Sequence, residues 1–103
     1  CKHVYIFFSS WILSRNYSVP GGEIDIVAEE SGITVFAEVK YRSGYIAGSG
    51  AESVTPRKQA CLRRAAQAYL AENNITGRAR FDVLELSGPS SFYDIRHIKN
   101  AFE

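Results

Sequence analysis

The segment GGEIDIVAEESGITVFAEVKYR, residues 21–42, constrains the fold more than any other part of this chain. Two stretches in which apolar and charged residues alternate flank Ser31 and Gly32, and such alternation is typical of β-strands. Glycine readily adopts the positive φ that a two-residue hairpin loop needs. The segment therefore predicts a β-hairpin with strands at residues 23–29 and 33–41.

This hairpin loop determines which residues of the two strands oppose each other. Counting back from the loop places Asp25 opposite Glu38 and Glu23 opposite Lys40, and directly opposed residues point to the same side of a sheet. A shift of one residue would set carboxylates against apolar side chains, so the sequence favours this register. The opposite face is expected to hold four apolar residues: Ile24, Ile26, Ala37 and Val39.

The predicted charged face brings two carboxylates into direct opposition. Repulsion between Asp25 and Glu38 would cost from some tenths of a kcal/mol to about 1 kcal/mol, and a partly buried pair resists full ionisation. A divalent cation removes both problems, and hard oxygen ligands suit Mg²⁺ or Mn²⁺. Lys40 beside them could hold an attacking water or stabilise charge on phosphorus. The alternative is a solvated surface with an ion pair between Glu23 and Lys40.

Charge is distributed unevenly along the chain, although the net charge is only +1. Residues 1–39 hold two basic and five acidic side chains, whereas residues 40–80 hold eight basic and two acidic ones. An acidic cluster beside a basic segment predicts a metal site next to a binding track for a polyanion. The alternative is that both groups are ordinary solvated surfaces.

The remaining elements are predicted from caps, turns and periodicity. Thr55 suits a helix N-cap and Pro56 the first helical position, and Asn73 with Asn74 ends the helix before Gly77. The apolar stripe of this helix consists of Leu62, Ala65, Ala66, Tyr69 and Leu70. Further strands are predicted at residues 79–86 and 92–98, a turn at 16–22, and either a buried helix or a strand at 2–13.

Composition bounds the classes to which the chain can belong. Its 103 residues predict a single domain over residues 1–103, and 46% hydrophobic with 22% charged residues is typical of a globular protein. No apolar run is long enough to cross a membrane. Two cysteines form no disulfide framework, which predicts a reducing, cytoplasmic location. The sequence lacks a phosphate-binding P-loop and gives no local support for Ser/His/Asp catalysis.

Six segments of the sequence resemble a known family. They are ILSRNYS, GEIDIVA, VFAEVKYR, VTPRKQACLRRAAQAYL, RFDVLEL and IRHIKNAF, in family order over roughly residues 12–102. The chain resembles the YraN family within the PD-(D/E)xK nuclease superfamily, whose core motif is an Asp followed by Glu-x-Lys on the next strand. The resemblance implies an α/β fold of the restriction-endonuclease-like kind, with a small mixed β-sheet flanked by helices.

The resemblance also implies roles for individual residues. Asp25 and Glu38 would bind Mg²⁺ or Mn²⁺ with the Val39 carbonyl as a third ligand, Lys40 would be the catalytic lysine, and Glu23 would assist through water. Family members usually carry a glutamate in the first helix. This sequence has no acid before Glu23, so either that helix is truncated here or this outer group is absent.

In related nucleases the helix after the Glu-x-Lys strand sends a Lys or Gln back to the site. Lys58 and Gln59 fit this position; the alternative is that both are solvent-facing residues of the first turn. Phosphates of DNA would be contacted by basic side chains, with little sequence specificity because no base-reading element is present. These basic residues are Arg42, Arg57, Lys58, Arg63 and Arg64.

The implied function is a Mg²⁺- or Mn²⁺-dependent endonuclease that hydrolyses phosphodiester bonds of DNA, with branched or damaged DNA as candidate substrates. The alternative is a module that binds nucleic acid on the same fold without cleaving it. The sequence leaves a homodimer open.

Overall fold

The computed structural model describes residues 11–42, 54–87 and 94–102 of the chain. These residues form one helix and a mixed five-stranded sheet, an α/β arrangement that agrees with the sequence prediction and is consistent with a restriction-endonuclease-like core. The elements are β1 Trp11–Val19, β2 Gly22–Glu30, β3 Ile33–Arg42, α1 Pro56–Glu72, β4 Ala79–Ser87 and β5 Asp94–Phe102.

The strands lie in the sheet in their chain order, from β1 to β5. The first three form an antiparallel meander, β3 and β4 are parallel, and β4 and β5 are antiparallel. Parallel neighbours need a long crossover connection, commonly a helix, and α1 lies in the connection between β3 and β4. The helix therefore packs on one face of the sheet beside β1 and β2.

The hairpin between β2 and β3 confirms the prediction made from its loop. Ser31 and Gly32 have φ values of 50° and 80°, the left-handed conformation that two-residue hairpin loops favour. Glu30 is paired with Ile33, and the pairing continues without a shift as far as Ile26 opposite Ala37. The loop therefore sets the predicted register over these five pairs, and the predicted pairs of Asp25 with Glu38 and of Glu23 with Lys40 lie just beyond the end of this pairing.

Alternation along the central strands divides the apolar core into two faces. We call the face that packs against α1 the helix face, and the opposite one the second face. The sheet residues of the helix face are Ile24, Val27, Phe36 and Val83, which meet Leu62, Ala65, Ala66 and Tyr69 of α1. The second face is formed by Ile26, Ala28, Val35, Ala37, Leu84 and Leu86.

The helix begins and ends where its caps predict. Thr55 Oγ1 accepts a hydrogen bond from the backbone N–H of Lys58 at 3.2 Å, Pro56 opens the helix, and Asn73 is the C-cap. The first half of α1 lies unusually close to β2, because a Cβ added to Gly22 would come 2.5 Å from the carbonyl oxygen of Cys61. This close approach holds the first turn of α1 near the hairpin.

Two predicted boundaries differ from the structure. The turn predicted at residues 16–22 is wrong in its first half, because β1 continues to Val19 and the chain reverses at Pro20 and Gly21. The last strand extends to Phe102, past its predicted end, because a register irregularity between Phe81 and Val83 lets the pairing with β4 resume. Residues 2–10 and 92–93 of the predicted elements lie outside the described residues.

An ionic cluster centred on Asp82 of β4 joins β4, β5 and, through Arg80 and Glu30, the end of β2. Asp82 is fully buried, and its carboxylate accepts hydrogen bonds from Arg80 at 2.9 and 3.0 Å and from the backbone N–H of Asn100 at 3.0 Å. His97 Nε2 lies 2.6 Å from the same carboxylate. Asn100 has a φ of 52°, so Asp82 satisfies the backbone where β5 is irregular.

Candidate active site

The candidate site begins where β2 and β3 separate. Their pairing ends at Ile26 opposite Ala37, and at the next position Asp25 Oδ2 accepts a hydrogen bond from the backbone N–H of Val39 at 2.8 Å. The N–H of Val39 thus donates to a side-chain oxygen, whereas in a regular ladder it would donate to a backbone carbonyl of the neighbouring strand. On the other side, the β1 register places Asn16 across from Asp25, and Asn16 has a φ of 50°.

This irregularity changes the direction of the side chains on either side of Asp25. Ile24 is fully buried on the helix face, whereas Ile26 belongs to the second face. The prediction that both isoleucines share the face opposite the carboxylates is therefore wrong for Ile24, because strict alternation does not continue past Asp25, where the pairing of β2 with β3 has ended. Ala37 and Val39 do belong with Ile26.

The structure brings the two candidate carboxylates together. Glu38 is only 5% exposed, and its carboxyl group lies close enough to that of Asp25 for the two to affect each other's ionisation. Burial, followed by the close approach and the negative charge of Asp25, raises the pKa of Glu38 from 4.5 to about 7, against the opposing effect of Lys58. Two neighbouring carboxylates in a buried site repel each other, so full ionisation of this pair requires something else to offset the charge.

Lys58, in the first turn of α1, offsets part of that charge. Its Nζ lies 3.3 Å from Glu38 Oε2. Burial lowers the pKa of Lys58, but the negative charges of Glu38, Glu23 and Asp25 outweigh it, so the pKa is raised. Despite the short distance, Glu38 Oε2 is buried without a hydrogen bond of good geometry from any described residue.

A buried carboxylate oxygen without a hydrogen bond, next to a second carboxylate, fits a divalent cation. Carboxylate oxygens are the ligands that Mg²⁺ and Mn²⁺ prefer. Within residues 11–42, 54–87 and 94–102 no group of three or more His, Cys, Asp or Glu side chains is arranged to hold a metal. A cation at this position would therefore complete its shell with main-chain oxygen, water and substrate, as Mg²⁺ commonly does.

A cavity of about 330 Å³ opens beside the two carboxylates. Its lining comes from β1, β2 and β3 and consists of Arg15, Asn16, Asp25, Ile26, Glu38, Val39 and Tyr41. A second cavity of about 320 Å³ lies on the other side, where Glu23 and Lys58 line it together with Cys61. The predicted site residue Glu23 thus lines a different cavity from Asp25 and Glu38.

Lys40 lies two residues beyond Glu38 on β3 and is half-buried. The parallel register with β4 sets it beside Glu85, and regular alternation places both on the helix face with Glu38. Val39 contributes its N–H to Asp25, while the predicted role of its carbonyl stays a prediction. The backbone of Arg42 ends β3, and its side chain lies outside the described part of the structure.

The candidate DNA-contacting residues of α1 divide into several groups. Lys58 reaches the carboxylates, but Gln59 Nε2 donates to the Val54 carbonyl at 3.0 Å and so closes the start of the helix. Arg63 lies 5.7 Å from the ring of Phe102 and donates to Gln59 at 3.2 Å.

Arg64 Nε donates to the Pro20 carbonyl at 2.9 Å, whereas Arg57 is exposed. Sequence reasoning did not identify Arg15, Asn16 and Tyr41, three further residues at the cavity. Arg15 and Asn16 were missed because β1 gave no clear strand signal.

The fold and this arrangement define a class of small α/β proteins with paired carboxylates at a strand separation. The chain belongs to UPF0102, described as an uncharacterised protein family, whose profile matches residues 9–86. It is 45% identical over 96 residues to a UPF0102 protein of Clostridium botulinum (strain Loch Maree / Type A3), covering 89% of this chain and 78% of the relative. A UPF0102 protein of Frankia casuarinae is also 45% identical, over 93 residues, covering 88% of this chain and 79% of the relative.

No helix in the described part of the chain is both long and apolar enough to span a membrane.

Proposed function

We propose that this protein is a Mg²⁺- or Mn²⁺-dependent endonuclease of the PD-(D/E)xK superfamily that hydrolyses phosphodiester bonds of DNA. The observation that carries the proposal is the carboxyl group of Glu38. It is buried, lies beside the carboxylate of Asp25, has one oxygen that meets Lys58 at 3.3 Å but accepts no hydrogen bond from the described residues, and is placed at the wall of a cavity. A purely structural glutamate at this position would be expected to have both oxygens satisfied.

Asp25 and Glu38 would hold the cation, with the Val39 carbonyl as a candidate third ligand. A bound Mg²⁺ or Mn²⁺ would offset charge on the phosphate and lower the pKa of a bound water. The hydrogen bond from the Val39 N–H fixes Asp25 Oδ2, so the second oxygen of this carboxylate keeps a defined direction. Such preorganisation is what a site that stabilises developing charge requires.

Two lysines have distinct roles in this proposal. Lys58 contacts Glu38 from α1. Its positive charge partly neutralises the Glu38 carboxylate before cation and substrate bind. Lys40, on the same strand as Glu38, is assigned to the attacking water and to the charge that builds up on phosphorus. Exposed Arg57 and the backbone-anchored Arg64 would meet flanking phosphates, so affinity for DNA should fall steeply with salt.

The test is nicking of supercoiled plasmid with and without Mn²⁺. We expect metal-dependent nicking by the wild-type protein, with Asp25→Asn and Lys40→Ala each losing at least about a hundredfold in rate, the scale of removing one charge-stabilising group. Glu29→Gln changes an exposed carboxylate on the same strand and is the matched control, which should nick as wild type does. Far-UV circular dichroism of every variant checks that the fold is kept.

The competing function is a nucleic-acid-binding module without catalysis. Retardation of DNA in a gel without metal-dependent nicking would support it. Nicking that survives Asp25→Asn would instead point to a contaminating nuclease, and the proposed site would then be rejected.

A further inference from the structure

We infer that the cavity beside the carboxylates binds a single unpaired nucleotide of a DNA strand, with its base stacked on Tyr41 and its phosphate held by Arg15. The inference specifies the substrate of the proposed nuclease. It depends on the proposed function only for what happens to the nucleotide after it has bound.

The first support is the side of the sheet on which the cavity lies. Arg15 is paired with Ile26, and Tyr41 aligns with Leu86 in the parallel register. Both partners belong to the second face, and aligned residues of neighbouring strands point to the same side. Arg15 and Tyr41 therefore flank the carboxylates on the face away from α1, whose basic side chains do not line this cavity.

The second support is the charge of the cavity. A phosphate that approaches Asp25 and Glu38 from the second face meets two acidic groups. Arg15 is the basic side chain among the residues lining this cavity. A guanidinium group presents a planar set of donors that matches phosphate oxygens. The basic side chains of α1 lie on the helix face. On the second face, Arg15 of β1 provides the positive charge for a phosphate contact.

The third support is the exposed aromatic ring. Tyr41 is 57% exposed although it lies in a strand beside the core. Tyrosine rings at such positions stack on bases, and every base offers a suitable π-face. A base inside a duplex already stacks on its neighbours, so stacking on Tyr41 requires an unpaired or extruded nucleotide. A cavity of about 330 Å³ is at the small end for ligand sites and suits one nucleotide.

Irregular β1 backbone gives the cavity its wall. The register of β1 shifts between Ile12 and Ser14, and Asn16 adopts a φ of 50°. Bulges of this kind redirect side chains and are frequent next to functional sites. Between the two irregular positions stands Arg15, which is thereby set at the cavity with Asn16.

The test measures binding in EDTA, so that it does not depend on cleavage. A fluorescein-labelled thymidine oligonucleotide and a duplex of the same length are titrated with the protein, and fluorescence anisotropy is recorded. We expect Tyr41→Ala to weaken binding of the single strand by about 5-fold to 100-fold, the range for loss of one stacked base, while Tyr41→Phe retains it. Binding of the duplex should change little in both variants.

Arg15 is tested by salt dependence. Arg15→Ala should reduce the slope of log affinity against log salt for the single strand by about 0.7, the value for one lost phosphate contact, and Arg15→Lys should keep the slope. Leu13→Ala removes an exposed side chain of the same strand that does not line this cavity, and it serves as the control.

Photocrosslinking locates the base directly. An oligonucleotide that contains 5-iodouracil should crosslink to Tyr41, as identified by mass spectrometry. Unchanged single-strand affinity in Tyr41→Ala, an equal loss for duplex and single strand, or crosslinks confined to α1 would each overturn the inference. If Tyr41-dependent binding is found but plasmid nicking is absent, only the proposed function fails. If nicking is found without an effect of Tyr41, only this inference fails.

Discussion

Replacement of Glu38 by glutamine is expected to stabilise the metal-free protein at alkaline pH. Glutamine has nearly the shape of the protonated glutamic acid and keeps an N–H that can donate to Asp25. The variant therefore resembles the low-pH form of the wild-type protein at every pH. In the wild-type protein, ionisation of Glu38 sets a second negative charge against Asp25 inside a buried site.

The magnitude follows from the pKa of Glu38, which folding raises from 4.5 to about 7. For an acid whose pKa is raised, the stabilisation is complete below the unfolded-state pKa and is lost as the pH rises through the folded-state pKa. Relative to acidic pH, where Glu38 is protonated in both states, its ionisation lowers the free energy of unfolding of wild type by about 1 kcal/mol at pH about 5 and by about 3 kcal/mol at pH about 8. The difference between wild type and Glu38→Gln should therefore grow by about 2 kcal/mol over this interval.

The assay is urea denaturation followed by far-UV circular dichroism at both pH values, in EDTA. Other titrating groups contribute equally to both proteins, so the difference between the two profiles isolates Glu38. Glu29→Gln on the neighbouring strand β2 is the control, because the side chain of Glu29 is exposed, and its profile should follow that of wild type. Addition of Mn²⁺ should then raise the free energy of unfolding of wild type at pH about 8 but not that of Glu38→Gln.

Parallel pH profiles for wild type and Glu38→Gln would refute the reasoning, because they would mean that Glu38 ionises as easily in the folded as in the unfolded chain. Equal stabilisation of both proteins by Mn²⁺ would contradict the assignment of Asp25 and Glu38 as the metal-binding site. It would not affect the conclusion that Glu38 ionises with difficulty in the folded protein.

Three further predictions concern the framework around the site. Gly22→Ala should cost about 1–3 kcal/mol of stability, because its Cβ would come 2.5 Å from the Cys61 carbonyl oxygen; Gly77→Ala, with its nearest contact at 3.7 Å, should melt within a few degrees of wild type, and equal melting temperatures for both would contradict this. Asp82→Asn should cost about 3 kcal/mol in urea denaturation at neutral pH, because Arg80 loses a fully buried carboxylate and keeps only the more exposed Glu30 as a described ion-pair partner. Burial raises the pKa of Asp82, but hydrogen bonds from His97, Arg80 and the Asn100 N–H outweigh it and hold the pKa below 3.8. This contribution is therefore present above pH about 4 and lost as the pH falls through the folded-state pKa, so the cost should shrink in acid; a cost independent of pH would contradict it. Thr55→Ala should cost about 1 kcal/mol through loss of the N-cap, and Thr55→Ser should restore most of it in thermal melts.

The sequence predicted the elements whose stability depends on local chemistry. The loop of Ser31 and Gly32 demands positive φ at both positions, and this requirement fixed the hairpin register before any tertiary contact was considered. The limits of α1 follow in the same way from Thr55, Pro56 and Asn73. The hairpin register predicted that Asp25 and Glu38 are neighbours, although their observed arrangement also depends on the irregular position after Ile26, where Asp25 bonds to the Val39 N–H.

β1 could not be predicted in the same way, because its conformation depends on its neighbour. Residues 14–19 contain no run of β-branched residues, and the strand is held by pairing with β2 on one side. Tyr17 adds contacts that no local rule anticipates, since its ring lies edge-on to Tyr69 at 5.1 Å and its hydroxyl donates to Glu72 at 2.5 Å. Tertiary contact thus overrides a weak local preference, as is common for strands.

Dependence on tertiary contacts also explains why the alternation of side chains along β2 stops at Asp25. This irregular position lies in the candidate site itself. In a regular strand Asp25 would stay a ladder residue, with Ile24 and Ile26 together on one face. In the structure its carboxylate bonds to Val39, the strands separate, and the isoleucines enter opposite faces of the core. The gap between the strands opens Asp25 and Glu38 to the cavity that Arg15 and Tyr41 also line. A strictly periodic hairpin would continue the ladder past Ile26 and Ala37 and would not leave this opening.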